Sequence, residues 1–187
     1  FSFVAGAITI NAKSVVVTAS SPTVTYGDVI PSITASYGDF VNGQSSTVVS
    51  NTSCTTVYVR TSNVGSLPAT SCSGATAANY SFTYTSGSVV IEKKTLTATA
   101  SSHSVTYGDA KPTVTPSYDG FVNSQNATAL TTAPTCDTTY STTSGFGTVA
   151  STCSGGVATN YSFSFTPGVI SVAKKTLTVT ASSHIVT

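Results

Sequence analysis

Charge is the scarcest property of this chain. Asp, Glu, Lys and Arg make up 7% of its 187 residues, against about 25% in an ordinary globular protein. The net charge is +1 and the few basic residues form no stripe, so the electrostatic footprint of a nucleic-acid-binding protein is absent. The acids are Asp28, Asp39, Glu92, Asp109, Asp119 and Asp137, too scattered to supply the clustered oxygen ligands of a calcium site. His103 and His184 fall at one recurring position, and Pro22 stands there in the remaining copy. Nucleophilic catalysis needs a base and an orienting acid beside the nucleophile, and a base present in some copies only does not make such a site. No catalytic residue, metal or cofactor is expected. No apolar run approaches the ~20 residues of a spanning helix. Nor does any stretch hold the 3.6-residue period of a substantial helix.

Hydroxyls and strand-forming residues take the place of charge. Hydrophobic residues are 40% of the chain, and their period-2 patterning argues against disorder. One segment recurs three times: Ala7–Ala19, Ser88–Ala100 and Val169–Ala181. Each reads as two strands joined end to end without Gly or Pro. Lys13, Lys94 and Lys175 mark the same place in each, 81 residues apart. The expected organisation is therefore the end of a preceding repeat at 1–12, repeat units at 13–93 and 94–174, and the start of a following repeat at 175–187. Both ends are read as falling inside a unit of a longer polypeptide.

Within one unit, Val15–Ala19 is a strand by β-branched content. Tyr26-Gly27-Asp28 reads as a turn, Ser32–Tyr37 as a strand, and Ser45–Val49 as a single helical turn. Cys54–Val59 and Leu67–Cys72 are further strands. Tyr80-Ser81-Phe82-Thr83-Tyr84 alternates most clearly, with aromatics on one side and hydroxyls on the other. Ser86-Gly87 reads as a turn before Val89-Val90-Ile91. The second unit repeats each step. Flexible tandem proteins use Gly/Ser- or Pro-rich spacers; here Glu92-Lys93 and Ala173-Lys174 are compatible with continued extended backbone. Neighbouring repeats of one chain should then sit at a fixed, short separation, as in a quasi-one-dimensional array.

A unit of about 80 residues is marginal alone. Cys54 and Cys72, and in the second unit Cys136 and Cys153, are separated by 18 and 17 residues. A bridge within each unit, closing a loop of that size, contributes about 3 kcal/mol in the chain-entropy model. A zinc site would need ligands at C-x₂-C-like spacing, which is missing. Persistent disulfides imply an oxidising, extracellular compartment. Asn51, Asn79, Asn126 and Asn160 each begin an Asn-x-Ser/Thr acceptor triplet for glycosylation. Lys13, Asp28 and Asn79 recur as Lys94, Asp109 and Asn160, a trio with the chemistry of a Lys–Asn isopeptide cross-link. The simpler reading is a strand-end lysine and two turn residues.

Tyr26-Gly27-Asp28, Tyr118-Asp119-Gly120-Phe121-Val122-Asn123, Asn79-Tyr80-Ser81-Phe82 and the Thr-Leu-Thr-x-Thr-Ala strand resemble the MBG/YDG-type tandem repeats of large bacterial cell-surface, adhesin-like proteins. The resemblance spans nearly the whole chain. It departs at Tyr37-Gly38-Asp39-Phe40, where Gly and Asp are exchanged, and the cysteine pair lies outside the signature. What it implies is all-β: small modules of Ig-like sandwich or β-grasp-like form, joined by run-on strands into a linear array. It also implies service in adhesins and surface fibres. The reading is a surface stalk or fibre segment, with identical chains as partners in a fibre, because low charge leaves little repulsion against lateral packing and exposed strand edges can pair. The alternative is an adhesin repeat that recognises surface glycan or matrix. The residues common to both units are aromatics, turn formers, cysteines and joints, while loops 59–64 and 141–146 differ freely. That favours the spacer.

Overall fold

The computed structural model describes residues 1–185; Val186 and Thr187, the tail of the expected last segment, lie outside the described residues. The chain divides into two units, Phe1–Lys94 and Thr95–Thr187.

The first unit holds eight strands: β1 (Lys13–Ala19), β2 (Thr23–Thr25), β3 (Ala35–Tyr37), β4 (Ser53–Thr56), β5 (Ala69–Ser73), β6 (Tyr80–Thr85), β7 (Gly87–Ser88) and β8 (Val90–Glu92). Alternation places Val15, Val17 and Ala19 of β1 inside. β1 is the centre of a three-stranded sheet, antiparallel to β3 and parallel to β6. β2 and β8 pair in parallel, and β4, β5 and β7 form an antiparallel sheet. Val17 and Ala19 pack with Cys72 of β5, ringed by Ile33, Tyr37, Cys54 and Phe82. The β1 sheet is thus covered by the sheet that carries the cysteines, a two-layer arrangement over a small core.

The second unit follows the same plan with β9 (Lys94–Ala100), β10 (His103–Thr106), β11 (Pro116–Asp119), β12 (Thr135–Thr138), β13 (Gly147–Ser154), β14 (Tyr161–Thr166) and β15 (Gly168–Ala173). β9 lies between β11 and β14. Here the second sheet is continuous, in the order β10-β15-β13-β12, with β10 parallel to β15 and the rest antiparallel. Ala100, Val114, Tyr140, Cys153, Ile170 and Val172 form the core.

The all-β reading holds. Among the described residues the helical elements are two 3₁₀ turns, Ser46–Val48 and Ala127–Ala129, the first inside the segment read as a helical turn. The parallel pairs β1/β6, β2/β8 and β10/β15 depart from the antiparallel pairing of an Ig sandwich. Between β8 and β9 the single residue Lys93 intervenes.

Three local expectations change. Residues 7–12 carry no strand, and Ile8 and Ile10 are over 90% exposed; the matching strand, β8, is held by parallel pairing to β2, and no described strand pairs with residues 7–12. Residues 174–181 likewise carry no strand; the matching β9 is held between β11 and β14, and no described strand flanks residues 174–181. Gly87, read as a turn, belongs to β7, and its lack of a side chain serves close approach instead. A Cβ there would lie 2.5 Å from Ser21 Oγ and 2.7 Å from the Ala19 carbonyl oxygen. Gly168 is equally confined, by Ser101 O at 2.7 Å and Ser151 Oγ at 2.6 Å.

Candidate functional site

The residues that recur in both units are where a repeated binding site would have to lie, so their partners decide what they do. Thr25-Tyr26-Gly27-Asp28 is a tight turn. Asp28 N–H donates to Thr25 O at 3.0 Å, Thr25 N–H donates to Asp28 Oδ2 at 2.9 Å, and Gly27 takes φ +88°. That positive φ at the third turn position is why Gly follows Tyr. Unit two repeats it: Asp109 N–H to Thr106 O at 2.9 Å, Thr106 N–H to Asp109 Oδ2 at 2.7 Å, Gly108 at φ +92°. The carboxylates of the trio Lys13/Asp28/Asn79 and its repeat are therefore engaged in turns. Asn79 meets Lys13 through its carbonyl oxygen, which accepts from Lys13 N–H at 3.0 Å.

A buried tyrosine then closes each turn. Tyr58 and Tyr140 are almost fully buried, and their hydroxyls donate to Asp28 O at 3.0 Å and Asp109 O at 2.9 Å. Burial, with Asp28 nearby, raises the Tyr58 pKa above the ordinary phenol value, because the buried site disfavours tyrosinate. The sequence reading missed both. The available signal was a tyrosine four residues after the first cysteine of each unit. Thr70 and Ser151 are fully buried hydroxyls bonded to Ser20 O and Ser101 O, each at 2.8 Å, as a buried polar group requires.

The aromatic strands are anchored in the same way. Tyr80 and Tyr161 donate to Gln44 Oε1 and Gln125 Oε1 at 2.6 Å. Phe40 and Phe121 lie edge-on to them, 5.2 and 5.3 Å between centroids. Both cysteine pairs are bridged, Cys54–Cys72 and Cys136–Cys153, each directly cross-strand in register between antiparallel neighbours. The exchanged motif does change its turn: Gly120 takes φ +109° after β11, whereas β3 ends at Tyr37 and Gly38 has no such φ.

Outside this shared framework, Ser101 Oγ lies 2.9 Å from His103 Nε2. The serine also accepts from Thr115 N–H, and Ser20 makes the same bond to Thr34 N–H with Pro22 in place of the histidine. In both units the serine hydroxyl thus accepts from a backbone N–H fourteen residues further along the chain. A cleft of about 420 Å³ in the second unit is lined by Tyr107, Phe146, Lys174 and Leu177, with Lys174 Nζ 5.2 Å above the Phe146 ring. The matching loop 59–66 of the first unit holds no aromatic residue, so the cleft is not a property of the repeat. Lys111 and exposed Asp137 pair at 2.7 Å, and the bond from Lys111, then that from Thr138 N–H, lowers the Asp137 pKa. No group of His, Cys, Asp and Glu among the described residues is arranged to hold a metal, and no helix there is long and apolar enough to cross a membrane.

The four acceptor asparagines differ in access. Asn51 is exposed at φ +61° and donates to Thr76 Oγ1 at 3.1 Å. Asn79 is exposed. Asn126 is exposed and caps a 3₁₀ turn, its Oδ1 accepting from Thr128 N–H and Oγ1–H at 2.9 and 2.8 Å. Asn160 is buried, 9% exposed.

A family model described as the MBG domain, YGX type, matches residues 15–90 and again residues 96–171. The chain belongs to the MBG domain family. Each matched segment contains the Tyr-Gly turn described above, Tyr26-Gly27 in the first and Tyr107-Gly108 in the second. The two matches make the chain a tandem pair of MBG repeats. A comparison with curated protein sequences returns no match.

Proposed function

We propose that this tandem MBG chain is a structural segment of an extracellular surface protein, a stalk or fibre section whose repetition sets distance. The observation that carries the reading is the fate of the shared residues. Tyr58/Tyr140, Thr70/Ser151, Asp28/Asp109, Tyr80/Tyr161 and the four cysteines each have an intramolecular partner, the same in both units. A repeated binding site would need a shared polar or aromatic cluster left over for a ligand. The disulfides support an oxidising location, and the lone Lys93 between β8 and β9 supports short, constant spacing of successive repeats. Asn51, Asn79 and Asn126 are the positions at which sugar would be carried; intact glycopeptide masses test this, and bare peptides throughout would end it.

The competing adhesin reading, recognition of surface glycan or matrix, is separated by a binding screen. The chain is titrated against a glycan panel and matrix proteins. The structural reading expects no saturable binding below ~1 mM. Saturable binding that both units share would replace it.

A further inference from the structure

Sheet edges expose unpaired backbone donors and acceptors, and proteins blunt them with shortness, charge or Pro. The edges of this molecule follow that rule with one exception per unit. β2, β3, β4, β7 and β8 are two to four residues long. β10 and β12 have four residues, and β12 carries Asp137 in its ion pair. β11 opens with Pro116 and ends in Asp119. β6 and β14 are different. Each is an edge of its sheet, six residues long, with no charge, Gly or Pro: Tyr80-Ser-Phe-Thr-Tyr-Thr85, whose first residue also bridges Ala77, and Tyr161-Ser-Phe-Ser-Phe-Thr166. Short, uncharged segments of high β-propensity are the kind that pair with copies of themselves. Ser81, Thr83, Tyr84 and Thr85, and likewise Ser162, Ser164, Phe165 and Thr166, are exposed. Tyr84 and Phe165 leave 42% and 39% of their surface to solvent.

We propose that β6 and β14 are pairing edges for a second copy of this chain, joined by antiparallel strand addition. The occupant is argued from self-complementarity. A two-fold axis requires an interface to match itself, and a charged strand would set like charges opposite each other. An axis through Thr83 sets Thr83 opposite Thr83, Phe82 opposite Tyr84, and Ser81 opposite Thr85. An axis through Ser164 sets Phe163 opposite Phe165 and Ser162 opposite Thr166. Aromatics then meet aromatics on one face and hydroxyls meet hydroxyls on the other, the cross-strand pairs that stabilise sheets. Phe163 and Phe165 already stack along the strand, 6.1 Å apart at 12°, which presents a flat aromatic face. The inference deepens the structural reading and rests on it, since lateral pairing would turn a spacer into a filament. Failure of pairing alone leaves a single-chain spacer intact.

The test is sedimentation velocity of the whole chain over a concentration series. The unmodified chain and a Thr83→Val/Ser164→Val variant should self-associate. Thr83→Lys/Ser164→Lys, at exposed positions, should raise the apparent dissociation constant at least about tenfold with an unchanged melting temperature. Should the lysine variant unfold, Thr83→Cys decides: mild oxidation should give a reducible covalent dimer through that position. A chain that stays monomeric up to ~1 mM, a folded lysine variant that associates like the parent, or a cysteine variant that fails to cross-link would each overturn the proposal.

Discussion

The two units carry the same plan but finish their second sheet differently, and one residue accounts for it. In unit two, β13 runs eight residues and pairs with an unbroken β15, Val149 opposite Ile170. In unit one the matching strand, β5, starts only at Ala69, and the partner is split into β7 and β8 around Val89. Pro68 stands where unit two has Val149. Val89 N–H still donates to Pro68 O at 2.8 Å, so half of a hydrogen-bonded strand pair survives. The returning bond is missing because Pro has no N–H. Val89 nevertheless remains fully buried. The fold is thus specified by side-chain burial and by its cross-links, and tolerates a gap in the ladder.

The largest effect should come from the cross-links. Cys54→Ser/Cys72→Ser and Cys136→Ser/Cys153→Ser should each destabilise their own unit by about 3 kcal/mol. The comparison predicts near-equal losses although the ladders differ; unit-resolved hydrogen exchange reads them. A clearly larger loss in unit one would mean that the ladder gap shifts the burden onto its disulfide. Next come Gly87→Ala and Gly168→Ala. The added Cβ meets one backbone carbonyl and two hydroxyls at Gly87, and two carbonyls and one hydroxyl at Gly168, and overpacking of this kind costs about 1–3 kcal/mol. Thermal melting should show a loss in both; a neutral change at either would mean that the strands can separate there.

The ladder itself is the third lever. Val149→Pro should impose the unit-one gap on unit two, at a cost of about 1–2 kcal/mol. Pro68→Val should join β7 to β8 and recover up to about 1 kcal/mol. Exchange protection of amides near Ile170 and Val90 follows each change; no response in either would remove Pro68 as the cause. Smaller still, Tyr58→Phe and Tyr140→Phe should each cost about 1 kcal/mol by leaving a carbonyl without its donor. The smallest effect concerns pH. Asp137 is held below the usual carboxylate range by Lys111, so its small contribution is present above the unfolded carboxylate pKa. It fades as pH falls through the folded one. Lys111→Ala should flatten that part of unit two's acid profile, where unit one has no matching pair.

Much of this was legible before any coordinates. Alternation in Tyr80–Tyr84 and the β-branched run at Val15–Val17 follow from local physics, so β6 and β1 stand where the pattern put them. The cysteine spacing pointed to the bridges that the cross-strand register delivers. What local pattern could not give was the long-range pairing. Thr70 and Ser151 look like surface hydroxyls until Ser20 and Ser101, just past the ends of β1 and β9, turn their carbonyls toward them. Gly87 looks like a turn until Ser21 crowds it. Ile8 and Ile10 spell a strand as well as Val89 and Ile91 do, but a strand needs neighbours, and no described strand pairs with them. At the candidate site, the sequence supplied the turn at Tyr26-Gly27-Asp28 but not the tyrosine from elsewhere in the chain that closes it.

The central claim is that repetition of this module sets distance. Small-angle X-ray scattering on disulfide-intact arrays of increasing repeat number tests it most directly. The account predicts a maximum dimension that grows by the same increment with every added unit. A dimension that grows only as the square root of repeat number, the law for a flexible chain, would contradict it.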